Sequence, residues 1–377
     1  MSGPVTGEIQ ENTRGEMVSS DSTRTSRIVV TGASGIVGRG VVAAVRASLP
    51  AAEIVGIDRF GGSSILDDFH LTDLATADPI ELLTGADTLV HCLSNVRADA
   101  VTPEDGRLDI AILRRVLDAA TAVDIGHVVI LSTTMVYGAW SDNPMPITED
   151  APVRPNREFA FAAHMAMVEQ AATDWAAKDP RRILSIIRPA VVVSELRRGG
   201  LSDLLSSASV IRSESGEAPA QYLHVDDLAT AVAIAVAEQV HGPINVAPDS
   251  WITPDGLAAL AGPKPRLHVP DWAARLLSAI RFRLGFTRTP PGILPYVTHP
   301  WVVANDRIKA LGWSPANSNE EAYVAGHDAG PLGNLNAKRR QMLALGATAA
   351  LLGGGAIAIA LLIRRSRLAN LAGHSKD

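Results

Sequence analysis

The chain has 377 residues, a formal net charge of −6, 47% hydrophobic residues and only 4% aromatic residues. The acidic balance argues against a general nucleic-acid binder, which is usually basic. Cys92 is the only cysteine, which excludes an intrachain disulfide and a cysteine-based zinc site.

Residues 1–26 differ in composition from the rest of the chain. They are rich in Ser, Thr, Glu and Gly and contain no apolar stretch of the length that a secretory signal peptide needs. We therefore expect a disordered N-terminal segment and no export signal.

From residue 27 onward, short apolar runs alternate with segments of helical periodicity. They predict strands over 28–31, 53–58, 88–93, 128–132 and 183–187, and helices over 36–48 and 108–123. The strand runs are continuously apolar, which is typical of parallel strands covered by helices on both faces. We expect an α/β fold with a doubly wound parallel sheet over 27–194, core strands that extend into 220–248, and a smaller substrate lobe over 195–335.

The first predicted strand runs directly into the sequence Thr-Gly-Ala-Ser-Gly-Ile-Val-Gly, which begins at Thr31. A glycine turn between a strand and a helix lets the backbone approach a pyrophosphate, and the helix N-terminus offers amides and the positive end of its dipole. Asp58 stands twenty residues after Gly38, at the end of the second predicted strand, where a carboxylate accepts hydrogen bonds from an adenosine ribose. The combination predicts a Rossmann dinucleotide site.

The same carboxylate bears on the choice of dinucleotide. Asp58 repels a 2′-phosphate and so favours NAD over NADP, whereas the neighbouring Arg59 leaves NADP open.

The segment 272–286 places Arg275, Arg281 and Arg283 among Leu, Ile and Phe residues. Two interpretations are open for it. It is either a basic amphipathic helix that rests on a membrane surface or a solvated helix packed on the lobe, and we favour the second.

Residues 341–363 contain no charged side chain. As a helix, these 23 residues span roughly 34 Å, enough for a hydrocarbon layer of about 30 Å. Cationic clusters flank both ends, namely Lys338, Arg339 and Arg340 before and Arg364, Arg365 and Arg367 after. The pattern predicts a single C-terminal transmembrane helix and a short basic tail over 364–377. Because both flanks are basic, charge does not set the orientation, and the missing signal peptide and the cofactor favour a cytoplasmic N-terminal domain.

Further motifs come after the glycine loop in order. They are Asp73-Leu74, His91-Cys92-Leu93, Leu117-Asp118-Ala119-Ala120, Leu131-Ser132-Thr133-Thr134-Met135-Val136-Tyr137-Gly138, Arg188-Pro189, His224-Val225-Asp226-Asp227-Leu228-Ala229, Asn245-Val246 and Leu311-Gly312-Trp313. With the glycine spacing, they resemble the extended short-chain dehydrogenase/reductases, the NAD-dependent epimerase/dehydratase family, over about residues 27–320.

The resemblance implies a set of cofactor-binding positions and one catalytic position. Asp73 and Leu74 correspond to an adenine-contacting pair, and the family's catalytic Ser or Thr falls on Thr133. The full cofactor-binding set is Gly32, Ser34, Gly35, Ile36, Gly38, Asp58, Arg59, Asp73, Leu74, Cys92, Leu93, Arg188 and Pro189.

Members of this family use a Tyr and a Lys four residues apart on one helix face to move a proton, while the nicotinamide exchanges a hydride. Glu169 matches an acidic residue that the family often has four positions after the Lys, so Met165 stands in the Lys position and Phe161 in the Tyr position. No Tyr of this chain is followed four residues later by a Lys. The usual proton relay is therefore absent.

His164 and Thr133 remain as candidates. His164 precedes the Lys position by one residue and is turned about 100° around the helix, so we expect a histidine packed or exposed at the helix edge, with a substitute acid/base role as the alternative. Thr133 offers a hydroxyl to a ligand, but a lone hydroxyl without a base is a poor catalyst.

These features leave three hypotheses. The first is a membrane-anchored, NAD-binding pseudoenzyme that is catalytically impaired and reports on NAD state or scaffolds partners. The second is a working oxidoreductase, epimerase or dehydratase that takes its acid/base from elsewhere and acts on a nucleotide-sugar or lipid-type hydroxy substrate. The third is a structural membrane protein that no longer binds cofactor, which the glycine loop and Asp58 make the weakest. We favour the first, and family members are often homodimers through a helix pair.

Overall fold

A computed structural model describes residues 25–62, 65–94, 96–196, 200–262 and 267–327. The predicted disordered segment, apart from its last two residues, and the predicted transmembrane helix and basic tail lie outside the described residues. Within the described ranges, no helix is both long enough and apolar enough to cross a bilayer.

The strands of the described chain, in order, are β1 Arg27–Thr31, β2 Glu53–Asp58, β3 Asp68–Leu71, β4 Thr88–His91, β5 His127–Leu131, β6 Ile183–Pro189, β7 Val191–Val193, β8 Ile211–Ser213, β9 Tyr222–His224, β10 Gly242–Val246 and β11 Leu267–Val269. The helices are α1 Ile36–Ser48, α2 Pro79–Leu83, α3 Pro103–Ala122, α4 Ala160–Ala176, α5 Leu201–Ala208, α6 Val225–Ala237, α7 Pro254–Ala261, α8 Asp271–Arg283, α9 Pro295–Thr298, α10 Asp306–Lys309 and α11 Asn319–Gly326. Short 3-10 turns lie at Thr134–Tyr137 and Pro291–Ile293.

Seven strands form the main sheet in the order β10-β6-β5-β4-β1-β2-β3, with every neighbouring pair parallel. This confirms the α/β, doubly wound expectation. The strand within 242–246 joins this sheet as its edge, whereas β9 pairs with β7 in a small sheet of its own.

Both faces of the sheet are covered. Ile28 and Val30 of β1 pack into a core on the side of α1 and α6, while Val29 between them packs into a second core on the side of α3 and α4. Alternate residues of a strand point to opposite faces, so two buried faces require apolar residues at every position. This explains the continuous apolar runs of the sequence.

Several element boundaries differ from the predicted ones by one to five residues, with the largest difference at the start of α3. The helix predicted over 108–123 begins at Pro103, because Thr102 caps it by accepting a hydrogen bond from the Asp105 amide at 3.0 Å. The strand predicted over 88–93 ends at His91. The first turn of α3 contains Glu104, Asp105 and Arg107, all exposed or half-buried, so it lacks the apolar periodicity that predicted the rest of the helix.

Part of the segment predicted as the smaller lobe has a small core of its own, whereas Leu205, Tyr222 and Trp301 of the same segment pack into the core on the side of α1 and α6. We call the part around the small core the lobe. Its strands β8 and β11 form a two-stranded pair, and its own core is a small cluster of Ile211, Ala274 and Leu294. Asp227 of α6 ties the end of the described chain to the sheet, since its buried carboxylate accepts hydrogen bonds from the backbone amides of Ala316 and Asn317.

Candidate dinucleotide and active site

The candidate site lies where the strand order reverses. β1 has β2 on one side and β4 on the other, so the loops after β1 and β4 lead to opposite sides and leave a crevice at the carboxyl ends of the strands. Gly32 lies at this point with φ +70°, and a Cβ there would come within 2.9 Å of the Leu93 amide nitrogen. Only glycine fits so close to the backbone beyond β4.

The turn after β1 leaves the start of α1 open to an anion. Gly35 is the N-cap of α1, so no side chain caps the helix, and the first turn holds no acidic residue. The free amides and the helix dipole fit a pyrophosphate. A Cβ on Gly38 would lie 2.1 Å from the Gly32 carbonyl oxygen, so this third glycine lets the helix pack against the turn.

Asp58 ends β2 beside the same turn and is buried. Its carboxylate accepts hydrogen bonds from the backbone amides of Ser34 at 3.0 Å and Phe60 at 3.3 Å, one to each oxygen. Each carboxylate oxygen has two lone pairs, so the group retains capacity for the two hydroxyls of a ribose. Arg59 is exposed and stacks on the Phe60 ring at 5.3 Å from its centroid.

A cleft of about 120 Å³ continues from the glycine loop. Its walls include Ile36 and Val37 from the start of α1 and Val193 and Ser194 from the end of β7. The cleft thus borders the start of α1, next to the glycine loop, while Asp58 lies beside the same loop at the end of β2.

The other predicted cofactor-binding residues lie at the ends of neighbouring strands. Asp73 is exposed and accepts a hydrogen bond from the Ala75 amide at 2.9 Å, while the Leu74 side chain is buried in the second core. Cys92 and Leu93 are half-buried against Gly32. Burial raises the pKa of the Cys92 thiol to about 12, so it is a neutral thiol and not a nucleophile.

His91 is the last residue of β4, next to the crevice. Its side chain is buried, and Nδ1 lies 2.8 Å from Thr31 Oγ1. Burial lowers the pKa of His91 to about 4, against an opposing influence of Asp109, so the ring is neutral at pH 7.

Thr133 lies two residues after the end of β5 in extended conformation, with its side chain buried. Its Oγ1 accepts a hydrogen bond from the Met135 amide at 3.3 Å and so caps the 3-10 turn. The preceding Ser132 donates its hydroxyl hydrogen to Glu169 of α4. The hydroxyl of Thr133 is thus held by local backbone, and within the described part of the chain it has no hydrogen bond to a base.

Helix α4 carries Phe161 and Met165, the two positions that the sequence analysis predicts for the proton relay of the family. Met165 is buried and Phe161 is half-buried, packed 5.9 Å from the Phe159 ring. His164 points away from these two, since its Nε2 lies 2.8 Å from Asp109 Oδ2 of α3 in a buried pair. The expectation of a packed histidine agrees with this position, which joins α3 to α4.

Arg188 makes its hydrogen bonds to buried side chains of the protein, although the sequence analysis predicted a cofactor contact. It is buried, donates from Nε and a terminal nitrogen to both oxygens of Glu169 at 2.9 and 2.6 Å, and donates from its other terminal nitrogen to Tyr137 Oη at 2.7 Å. Although burial acts to lower it, the hydrogen bonds and charge of Glu169 raise the pKa of Arg188. Its role in dinucleotide binding, with that of Pro189, stays a prediction, and the observed contacts are structural.

Sequence reasoning did not find this buried network. Tyr137 Oη donates onward to Asn245 Oδ1 at 2.8 Å, so the network joins the 3-10 turn after β5 to α4, β6 and β10. The partners are 51 and 108 residues apart along the chain, and only their membership of the quoted motifs hinted at a shared location.

Comparison with known proteins assigns the fold and the site to a family. The chain matches the model of the NAD dependent epimerase/dehydratase family over residues 28–247, more than half of its length. The chain belongs to this family. The description of this family as NAD-dependent agrees with NAD as the predicted cofactor.

The similar proteins include enzymes with different substrates. A Streptomyces 3-diazoavenalumate denitrifying reductase is 25% identical over 321 residues, covering 77% of this chain and 96% of that protein. An Escherichia coli O157:H7 N-acetyl-alpha-D-glucosaminyl-diphospho-ditrans,octacis-undecaprenol 4-epimerase is 28% identical over 182 residues, covering 47% of this chain and 52% of that protein.

Solved structures agree on the fold. The Thermus thermophilus UDP-glucose 4-epimerase in complex with NAD has a TM-score of 0.59 at 19% identity and covers 80% of this chain and 97% of that one. The Bacillus cereus UDP-glucuronic acid 4-epimerase in complex with UDP-glucuronic acid and NAD has a TM-score of 0.58 at 17% identity, with the same coverage.

Proposed function

We propose that this chain is a membrane-anchored, NAD-binding member of its family that is catalytically impaired and serves as a sensor of NAD state or a scaffold. The observation that carries the proposal is the apolar pair Phe161 and Met165 on α4, where a proton donor and its supporting cation would stand. A hydroxyl or carbonyl substrate needs a proton transfer together with hydride transfer. Without the pair, that step lacks its acid and base.

The neighbouring titratable groups do not replace the pair. His164 is buried against Asp109, and Thr133 caps its own turn. Tyr137, the closest tyrosine in sequence to Thr133, is buried in the Arg188 network, and burial raises the pKa of its hydroxyl. These contacts support a site that binds dinucleotide and does not relay protons.

The test is calorimetric titration of the detergent-solubilised full chain with NAD, NADH and NADP. We expect NAD to bind, Gly35→Asp to lose binding by charge repulsion at the pyrophosphate, and NADP to bind at least about ten-fold more weakly. Ser141→Asp, at an exposed position outside the loop, adds the same charge and serves as the control. Nicotinamide-dependent turnover of a UDP-sugar or a lipid-diphosphate sugar would contradict catalytic impairment.

A second candidate is an active reductase whose substrate needs no proton from the enzyme. The Streptomyces relative favours it, because its name describes a reductase of a diazo compound and the match covers 96% of its length. Hydride addition to the terminal nitrogen of an arenediazonium cation gives an aryldiazene, which loses N2 as its C–N bond breaks and its N–H hydrogen passes to carbon. The overall change forms an arene and N2 from the diazonium cation and hydride, with no net proton taken up. Phe161 and Met165 are compatible with such chemistry.

Deuterium transfer separates the two candidates. The full chain is incubated with 4-deuterated NADH and an arenediazonium salt, and the arene product is analysed by mass spectrometry against Gly35→Asp and a protein-free control. Deuterated arene above both controls would favour the reductase, and equal amounts in all three would leave the NAD-binding pseudoenzyme.

The membrane anchor belongs to the same proposal. Residues 341–363 are free of charge over 23 positions, and a dinucleotide cofactor favours a cytoplasmic domain before them. The Escherichia coli relative, whose name describes a lipid-linked diphosphate sugar, supports a lipid-type ligand. A full chain that resists carbonate extraction from membranes, while a chain ending at residue 335 does not, would agree with the anchor.

Pairing through a helix pair is a further part of the proposal. Leu108 of α3 and Met167 of α4 are exposed on adjacent helices, which supports an isologous contact between two copies. Light scattering of the full chain in detergent tests it, and Leu108→Glu with Met167→Glu should yield the monomer mass.

A further inference from the structure

Helix α8 and the residues just beyond it expose an apolar surface. Six large side chains between 272 and 286 are open to solvent, with Trp272 at 69% and Phe286 at 76% of full exposure. They are Trp272, Leu276, Ile280, Phe282, Leu284 and Phe286. We call these six residues, together with Arg275 and Arg283, the α8 face.

The α8 face is held in place from its other side. Ala274 is fully buried with Ile211 and Leu294, and Leu277 packs half-buried against them. At the N-terminus of the helix, Asp271 accepts hydrogen bonds from the backbone amide and hydroxyl of Ser215. The lobe therefore fixes which side of α8 faces outward.

The end of the helix extends the same surface. Gly285 has φ +73°, and the Phe286 amide donates to the Arg281 carbonyl at 2.9 Å while the Gly285 amide donates to that of Phe282 at 3.0 Å. This pair of hydrogen bonds is a Schellman motif, which reverses the chain after the helix. It sets the Phe286 ring beside the last turn of α8 and outside the lobe core.

Cations lie within the apolar surface. At 100° per residue, Arg283 falls between Trp272 and Leu276 on the helix circumference, and Arg275 falls on the flank near Phe282. Both arginines are exposed, and residues 272–286 contain three arginines and no acidic residue in a chain of net charge −6. The α8 face is thus locally basic on an acidic protein.

The combination of apolar side chains and arginines on the α8 face favours an anionic lipid surface over a second copy of the chain. A second copy of α8 would bring the same arginines together in an apolar contact, which costs desolvation and repulsion. An anionic lipid surface neutralises them, and their long stems leave the guanidinium groups at the headgroups while Trp and Leu side chains enter the acyl boundary. We propose that the α8 face lies on the anionic surface of the membrane in which the chain is anchored, a proposal that rests on the proposed anchor.

The length of chain beyond the lobe permits this contact. Thirteen residues, 328–340, separate the last described residue from the apolar segment 341–363. Fully extended, they reach at most about 45 Å, comparable to the roughly 50 Å diameter of a compact chain of about 300 residues. An anchored chain therefore keeps the lobe within reach of the bilayer surface.

The test uses the full chain in nanodiscs with or without anionic phosphatidylglycerol, with phospholipids brominated near the headgroup end of the acyl chains. The emission of Trp272 is obtained by subtracting the emission of the Trp272→Phe variant from that of the unsubstituted chain. We expect lipid bromine to quench this emission at least two-fold in anionic discs, and Arg275→Glu with Arg283→Glu to remove the quenching. Arg114→Glu with Lys178→Glu makes the same change in net charge at exposed sites elsewhere and should leave the quenching in place.

Carbonate extraction separates failure of the anchor from failure of the α8 contact. A carbonate-resistant chain whose Trp272 is not quenched would overturn the α8 proposal and leave the anchor. A chain released by carbonate would overturn the anchor. Quenching of Trp272 on anionic vesicles would in that case still support lipid contact by the α8 face. Absence of quenching with efficient crosslinking between copies through Leu276→Cys would assign the face to a second copy and overturn the lipid contact.

Discussion

The glycine loop after β1 and the inner face of α4 serve the same reaction in this family, yet they differ in this chain. At the loop, the glycines and the carboxylate predicted for dinucleotide binding are all present. Gly32 and Gly38 permit backbone contacts that no Cβ allows, and Asp58 is fixed by two backbone amides. On α4, the positions of the proton relay hold Phe161 and Met165.

The difference shows that cofactor binding and catalysis depend on separate requirements. The loop is constrained by the backbone packing of β1, α1 and β4, so its glycines also hold the fold together. The relay residues of α4 are side chains on an already stable helix, which the Glu169–Arg188 pair fixes to β6. We therefore expect substitution at these positions to affect the proposed chemistry more than the packing of the sheet. Variants at four positions test this contrast.

The largest effect is expected at the pair that fixes α4. Arg188→Met leaves the buried Glu169 carboxylate without its cation, and we expect a loss of about 3–5 kcal/mol in the free energy of unfolding. Urea denaturation followed by circular dichroism measures it. The double variant Arg188→Met with Glu169→Met removes both charges and should recover most of that loss, whereas equal loss in both variants would show that the pair does not determine stability.

The second effect concerns His91 beneath the crevice. Its pKa is lowered by burial to about 4, so the unfolded chain binds a proton at His91 below pH 6.5 while the folded chain does not. The stability that neutral His91 contributes is therefore fully present above pH 6.5. As the pH falls toward 4, the free energy of unfolding decreases by on the order of 3 kcal/mol.

Urea denaturation at intervals from pH 7 to pH 4 measures this loss. In His91→Asn, which keeps a partner for Thr31 Oγ1 but does not titrate, the decrease over this range should be smaller by that amount. The same pH profile in both proteins would refute the assignment to His91.

The third effect is on cofactor affinity. Asp58→Asn replaces a charged acceptor for the ribose hydroxyls, and we expect NAD binding to weaken by about 1.5–3 kcal/mol, roughly 10- to 150-fold. Calorimetric titration measures it, with Asp73→Asn as the matched control of smaller effect. Unchanged affinity in Asp58→Asn would place the ribose elsewhere.

The smallest effect is expected at the former Tyr position. Phe161 is half-buried, so the hydroxyl of Phe161→Tyr reaches water, and we expect a change within about 0.5 kcal/mol in the free energy of unfolding and unchanged NAD affinity. Thermal unfolding and NAD titration measure the two quantities. A large loss of stability would mean that packing, and not loss of the reaction, requires Phe at this position.

The sequence predicted much of the main sheet, because its signals are local and strong. Apolar runs at β1, β2, β4, β5 and β6 are buried on both faces, and the glycine spacing follows a strand and opens a helix. The short strand β3 has only half-buried and exposed residues, so its apolar signal was too weak for a strand prediction. At the site, the positions of Gly32, Gly35, Gly38 and Asp58 needed only this local pattern.

Contacts between distant residues were beyond the sequence. The pairing of Arg188 with Glu169, of His164 with Asp109 and of Tyr137 with Asn245 depends on strand order and helix packing, which bring together residues 19 to 108 positions apart. The motif around Arg188 indicated a cofactor contact. Only the packed structure shows that its guanidinium donates hydrogen bonds to Glu169 and Tyr137.

By itself, the sequence determined the doubly wound sheet, the NAD site and the absence of a Tyr–Lys relay, since each depends on residue types at fixed local spacing. The tertiary structure decided which charged groups are internal supports and which face of α8 is open. Those outcomes depend on what each side chain meets across the fold, because burial and pairing, not residue type, set whether an arginine or histidine binds a ligand, a neighbour or a membrane.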